Sequence, residues 1–156
     1  MHSITRRRML LMMSMLASVP AAVLGQQRPK ISVYKDPTCG CCANWVAHLR
    51  SHGFEPTATD VTDLAALKTK YGVAPSLRSC HTALVDGYVI EGHVPAADIQ
   101  RLLKEKPKVL GLTVPGMPVG SPGMEGTNGQ RYDVLTFDAS GRTAVYSTQQ
   151  PSARPQ

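Results

Sequence analysis

The chain has 156 residues, with 17 Lys and Arg against 11 Asp and Glu, a formal charge of +6, and only 5% aromatic residues. Three of the positive charges, Arg6, Arg7 and Arg8, sit together near the start; without them 14 basic residues face 11 acidic ones, a net +3 dispersed along the chain. There is no clustered basic face with stacking aromatics, which argues against nucleic acid as a partner, and no internal repeat at solenoid period.

The first stretch, MHSITRRRMLLMMSMLASVPAAVLGQQ, runs from arginines through an apolar segment to small residues, the layout of a bacterial export signal. Its apolar run from Met9 to Leu24 is broken by Ser14, Ser18 and Pro20, short of the roughly 20 continuous apolar residues that span a bilayer. Residues 1–25 are therefore expected to be cleaved, near Ala22 or Gly25, leaving a periplasmic protein with no stable membrane insertion. TRRRML loosely resembles a twin-arginine signal, with Met9 where Phe is usual, so the Sec and twin-arginine routes both fit. What remains, about 130 residues, is enough for one domain with a real core. We assign it to residues 30–148, with 149–156 as a disordered tail.

Ile31 to Tyr34 (ISVY) predicts a short strand leading into KDPTCGCC, a turn built on Pro37 and Gly40. Trp45, Val46 and Leu49 recur at helical spacing between Ala43 and His52, with Gly53 placed to end the helix. TATDV predicts a second strand, and Leu64, Leu67 and Tyr71 trace the inner face of a second helix stopped at Gly72. TALV, the Asp86-Gly87 pair and YVIEG predict a hairpin, because Asp-Gly suits a primed turn. Pro95 opens a third helix with Ile99, Leu102 and Leu103 inward, ending before Pro107. The order β-α-β-α-β-β-α is that of a thioredoxin-like α/β fold. VLGLTVPGMPVGSPGMEG follows, a Gly/Pro/Met loop unable to hold regular structure for long. A hairpin extension, Tyr132 to Phe137 and Thr143 to Ser147 around Ser140-Gly141, closes the domain.

Chemistry concentrates in TCGCC, where Cys39, Cys41 and Cys42 crowd a strand-to-helix turn. Cys39 and Cys42 form a C-x-x-C pair at a helix N-terminus, where free amide groups and the helix dipole favour a thiolate. That pair alone reads as a redox dithiol. Cys41 between them offers a competing disulfide partner, and a third thiolate is better explained as a metal ligand. Cys80 and His81 precede the strand TALV, at a junction that in a thioredoxin-like fold faces the first turn; His81 stands about where thioredoxins carry a cis-proline. Four sulfurs and an imidazole can then converge, although His81 reads equally well as a hydrogen-bonded buried histidine. Soft thiolate and thioether donors select Cu(I), while zinc also accepts Cys and His. Met117 and Met124, seven apart in PGMPVGSPGME, supply thioethers on a loop with no helical face, or else cap apolar surface. Because Cys41 and Cys42 are adjacent, a multinuclear cluster with bridging thiolates strains the turn less than one tetrahedral ion. His48 and His52, four apart near a helix end, read as solvent-facing rather than as a ligand pair, His93 as a neighbour behind the ligands, and Trp45 as core.

CGCC, SCHTALVDGYVIEGHVPAADI and VPGMPVGSPGME, in this order, closely resemble the CopG-type copper-resistance proteins, small exported bacterial proteins long catalogued as a domain of unknown function. The resemblance runs from about Ile31 to Ser147. It implies a thioredoxin-like periplasmic domain that binds copper through Cys39, Cys41, Cys42 and Cys80, with His81, Met117 and Met124 as weaker candidates, and a thiol oxidoreductase role. The expected function is Cu(I) binding for copper tolerance, by sequestration or by transfer to other periplasmic copper-handling proteins, with a thiol reductant as a further partner. The alternative is a thiol-disulfide or copper-dependent oxidoreductase in which Cys39 attacks and Cys42 resolves. A third is a plain interaction domain stapled by two disulfides.

Overall fold

The computed structural model describes residues 27–150. The export signal expected over residues 1–25 lies outside the described residues, as do the last six of the expected tail. Among the described residues no helix is long and apolar enough to cross a membrane.

The first strand, β1 (Lys30–Lys35), buries Ile31 and Val33 on one face in the alternation a half-covered strand requires. The Asp36 carboxylate then accepts hydrogen bonds from the Thr38 amide and hydroxyl, and the Cys39 amide donates to the Asp36 carbonyl, turning the chain sharply into α1 (Gly40–Ser51). Cys42, Trp45, Val46 and Leu49 form the buried stripe of α1, and Gly53 at φ +85° ends it. The chain returns as β2 (Glu55–Asp60), parallel to β1. Next comes α2 (Leu64–Lys70), capped by the Asp63 side chain on the Ala66 amide. Its apolar residues Leu64, Leu67 and Tyr71 are only half-buried, and the residue it buries fully is Lys68.

A short 3-10 turn (Pro75–Leu77) leads to β3 (His81–Val85) and β4 (Tyr88–Glu91), joined through Asp86 and Gly87, both at positive φ as a type I′ turn demands. After β4, α3 (Ala96–Glu105) buries Ala96, Ile99 and Leu102, leaves Leu103 partly covered, and stops at a left-handed Lys106. The segment expected to be irregular from Val109 onward instead holds β5 (Gly111–Thr113), every residue of it buried. It pairs parallel to β4 and antiparallel to β6 (Tyr132–Phe137), which is followed by β7 (Thr143–Gln149). Three residues are too few for a periodic pattern, and the strand forms because partners on both sides complete its ladder. Only glycine fits at 111: a Cβ there would stand 1.7 Å from the Val89 carbonyl oxygen.

The result is one mixed seven-stranded sheet in the order β2-β1-β3-β4-β5-β6-β7. The main core joins Trp45, Val46 and Leu49 of α1 and Ile99 and Leu102 of α3 to sheet residues such as Val33, Ala83, Ile90 and Val134. A smaller cluster, Val73, Leu77, Val89 and Phe137, lies with Tyr71 and Leu110. The C-terminal end of β1 and the N-terminal end of β3 are paired, Lys35 opposite His81, which brings the first strand-to-helix turn beside the segment preceding β3.

Candidate metal centre

Two short stretches of backbone wall the site. The first is the start of α1. Cys39 occupies the N-cap position in an extended conformation and makes no side-chain capping bond, so its sulfur is available for other chemistry. Cys41 is half-exposed on the first turn, while Cys42 points into the core and is fully buried. Cys39 and Cys42 form a disulfide; Cys41 and Cys80 are free thiols.

The second wall, residues 78–80, has no ladder of its own and is held by side chains. Glu91 on β4 accepts from the Ser79 amide at 2.6 Å, from Lys68 Nζ at 2.6 Å and, through its other oxygen, from the Thr82 hydroxyl at 2.6 Å; Lys68 also donates to Thr82 at 2.9 Å. This ion pair is interior, with Glu91 at 0% and Lys68 at 4% exposure. Burial pushes the Glu91 carboxyl above its ordinary range, and Lys68, Thr82 and Ser79 pull against that. Arg78 and Ser79 are further bound to Gly116, whose amide donates to the Arg78 carbonyl and whose carbonyl accepts from the Ser79 hydroxyl. Gly92, at φ +72°, lets the wall close, since a Cβ there would meet the Ser79 side chain at 2.5 Å.

Between the walls the sulfurs converge. Cys41 Sγ lies 3.5 Å from Cys39 Sγ and 3.8 Å from Cys80 Sγ, and Cys42 Sγ lies 3.8 Å from the Cys80 carbonyl oxygen. The four ligand atoms fall within 4.8 Å of one another. A second group shares Cys80: His93 Nε2 is 3.0 Å and His81 Nδ1 3.3 Å from its sulfur. The His93 tautomer follows from its other nitrogen. Nδ1 must donate to the Pro122 carbonyl at 2.8 Å, which leaves Nε2 bare toward the sulfur, the orientation typical of a metal-ligating histidine. His81 is wholly buried, its ring 4.3 Å from that of Trp45 and edge-on to His93 at 5.1 Å. Burial, with His93 and Lys68 nearby, holds it well below its usual pKa, so it is neutral, and its Nε2 has no hydrogen-bond partner. Burial, together with the neighbouring Cys41, pushes the Cys80 thiol up to about 12. A proton on Cys80 is thus favoured until a cation replaces it. Once the Cys39–Cys42 bond is reduced, these donors suit a soft ion: four thiols, two lone-pair imidazoles, and few hard oxygen ligands.

The residues singled out from sequence separate here. Cys39, Cys41, Cys42, Cys80 and His81 come together. Met117 is 52% exposed and Met124 half-buried on the loop of residues 115–125, one end of which is bound to residues 78–79 through Gly116. The other end packs on α1, where a Cβ at Gly123 would lie 2.8 Å from the Cys41 carbonyl oxygen and the Trp45 amide. His48 departs from its expected solvent-facing place. It is partly buried, and its Nε2 accepts from the Ala96 amide, capping α3 from a neighbouring helix; burial first, then His52, pushes its pKa down to about 4. His52 donates from Nδ1 to the His48 carbonyl, so the two do not form a ligand pair. His93 and the Lys68–Glu91 pair are what the sequence reading underrated. The signal was present in YVIEGH, where a glutamate ends an apolar strand and a histidine follows a glycine.

The family described as "Protein of unknown function, DUF411" matches residues 77–124, which hold the second wall and the methionine loop but not the CGCC turn. Two solved structures cover both. Copper resistance protein CopG, form 2, is 44% identical, with a TM-score of 0.75 over 79% of this chain and 99% of that one. The chain belongs to the CopG family of copper-resistance proteins. CopG form 1 gives the same result at 45% identity and a TM-score of 0.73, over 77% of this chain and 96% of that one. No curated protein sequence matches the chain significantly. CopG likeness accounts for a mixed α/β chain with a cysteine-rich candidate metal site.

Proposed function

We propose that this protein binds Cu(I) in the periplasm and contributes to copper tolerance by sequestering the ion or passing it to a partner. The observation that carries this reading is the meeting of Cys41 and Cys80 at 3.8 Å, which unites the CGCC turn with the wall before β3 into one four-sulfur group. Thiolates of Cys39, Cys41, Cys42 and Cys80 are the ligands, His81 and His93 close the inner side, and Met117 and Met124 offer thioethers at the rim. The adjacency of Cys41 and Cys42 at the helix start favours several Cu(I) ions with bridging thiolates over one tetrahedral ion. The strand order β2-β1-β3-β4, with the thiols at the start of the first helix, supports a thioredoxin-like core. The periplasmic location rests on the arginine-led apolar leader.

The test is an anaerobic Cu(I) titration of the reduced protein against a chromophoric competitor, beside a Cys80→Ser variant. Tight binding of more than one Cu(I), weakened in the variant, supports the reading; no binding refutes it, and saturation at one ion refutes the cluster. The Cys39–Cys42 disulfide favours a second reading, a thiol-disulfide oxidoreductase in which Cys39 is the attacked sulfur. Rapid turnover on small disulfides by the metal-free protein would support it.

A further inference from the structure

The two free thiols are not equivalent bystanders of the disulfide. Cys41 Sγ is in van der Waals contact with Cys39 Sγ on one side, at 3.5 Å, and with Cys80 Sγ on the other, at 3.8 Å. It lies on the partly exposed first turn of α1, two residues from Cys39, with unhindered Gly40 between them. Cys80 stands across the groove on a segment without ladder hydrogen bonds, 39 residues away in sequence. Sulfurs 3.8 Å apart need to close by about 1.8 Å to bond.

We propose that Cys41 and Cys80 form a second redox pair, and that Cys41 relays the oxidising equivalent of the Cys39–Cys42 disulfide inward to it. In the first step Cys41 sulfur attacks Cys39 sulfur; the Cys39–Cys41 bond forms, the Cys39–Cys42 bond breaks, and Cys42 leaves as a thiol. In the second, Cys80 passes its proton to the bare His93 Nε2, 3.0 Å away, and its sulfur attacks Cys41 sulfur; the Cys41–Cys80 bond forms, and Cys39 leaves and takes up that proton as a thiol. Each step exchanges one disulfide for another, two thiols are consumed and two regenerated, and no net electron or proton is needed. A small-molecule disulfide RSSR can then reoxidise Cys39 and Cys42, releasing two RSH, so the chain holds two disulfides and can accept four electrons. The inner bond ties the two walls together and withdraws the thiols that unite them. The inference goes beyond the copper reading and does not depend on it, because every step occurs in metal-free protein.

The experiment starts from metal-free protein oxidised only at Cys39–Cys42 and freed of oxidant. It is incubated at two concentrations tenfold apart, trapped with N-ethylmaleimide, and digested with trypsin without reduction. Cleavage after Lys35, Arg50, Arg78 and Arg101 places Cys39, Cys41 and Cys42 in one peptide, 36–50, and Cys80 in another, 79–101. A joined 36–50/79–101 peptide, bonded through Cys41 and growing at the same fractional rate at both concentrations, is the expected result. With excess glutathione disulfide, maleimide adducts should fall from two per chain to none. Two adducts persisting at Cys41 and Cys80 under excess oxidant would overturn the proposal, as would a rate that scales with protein concentration. In Cys41→Ser the joined peptide should be absent; its presence, through Cys39 or Cys42, would overturn Cys41 as the relay.

Discussion

Replacing Glu91 with alanine removes the acceptor of three hydrogen bonds and leaves the Lys68 ammonium, 4% exposed, donating to the Thr82 hydroxyl. Breaking one side of a buried pair costs about 3–5 kcal/mol, because the surviving charge stays in low dielectric. The orphaned Ser79 amide pushes the figure toward the upper part of that range. We expect Glu91→Ala to lose about 4 kcal/mol in guanidinium denaturation of the reduced, metal-free protein and to melt about 12–20 °C lower, at about 3–5 °C per kcal/mol for a domain of this size. The double variant Lys68→Met/Glu91→Leu, which leaves no buried charge, should recover most of the loss. It should still bind Cu(I) more weakly than wild type, because the Ser79 amide, and with it the wall carrying Cys80, has lost its anchor. A loss under about 1 kcal/mol for Glu91→Ala, the size of an exposed ion pair, would refute the reasoning by showing that water reaches the pair.

The His48 ring is held neutral, its pKa near 4 against 6.5 for the free side chain, so the unfolded chain takes up the proton first as pH falls. Stability should be full above pH 6.5 and decline toward pH 4; for a half-buried ring we expect about 1–2 kcal/mol over that window, and the decline should shrink in His48→Gln, read by urea denaturation at several pH values. Gly111→Ala should cost more than about 3 kcal/mol or prevent folding, since the new Cβ would meet Val89 backbone rather than a yielding side chain, and circular dichroism with thermal melting reads it. Cu(I) affinity measured against a competitor should fall as pH is lowered from 8 to 5, by about tenfold per unit for each thiol proton displaced, because ligation requires thiolates. A flat profile would point away from the cysteines.

Much was decided locally. Strands, helices and both hairpins follow from spacing and from a few punctuating residues, such as Asp86-Gly87 and Gly53, because near neighbours along the chain enforce them. Three thiols at a strand-to-helix turn mark the site for the same reason: the crowding lies within four residues. Other features exist only after distant segments meet. β5 is a strand because β4 and β6 flank it, Lys68 is buried because Glu91 waits across the sheet, and His48 loses its solvent to the start of α3. The contact of Cys41 with Cys80 and the aim of His93 at the same sulfur depend on the register that sets Lys35 opposite His81. Composition and periodicity carry no term for such long-range register, so the sequence by itself determined which chemistry the chain holds, and the tertiary structure decided which atoms share it.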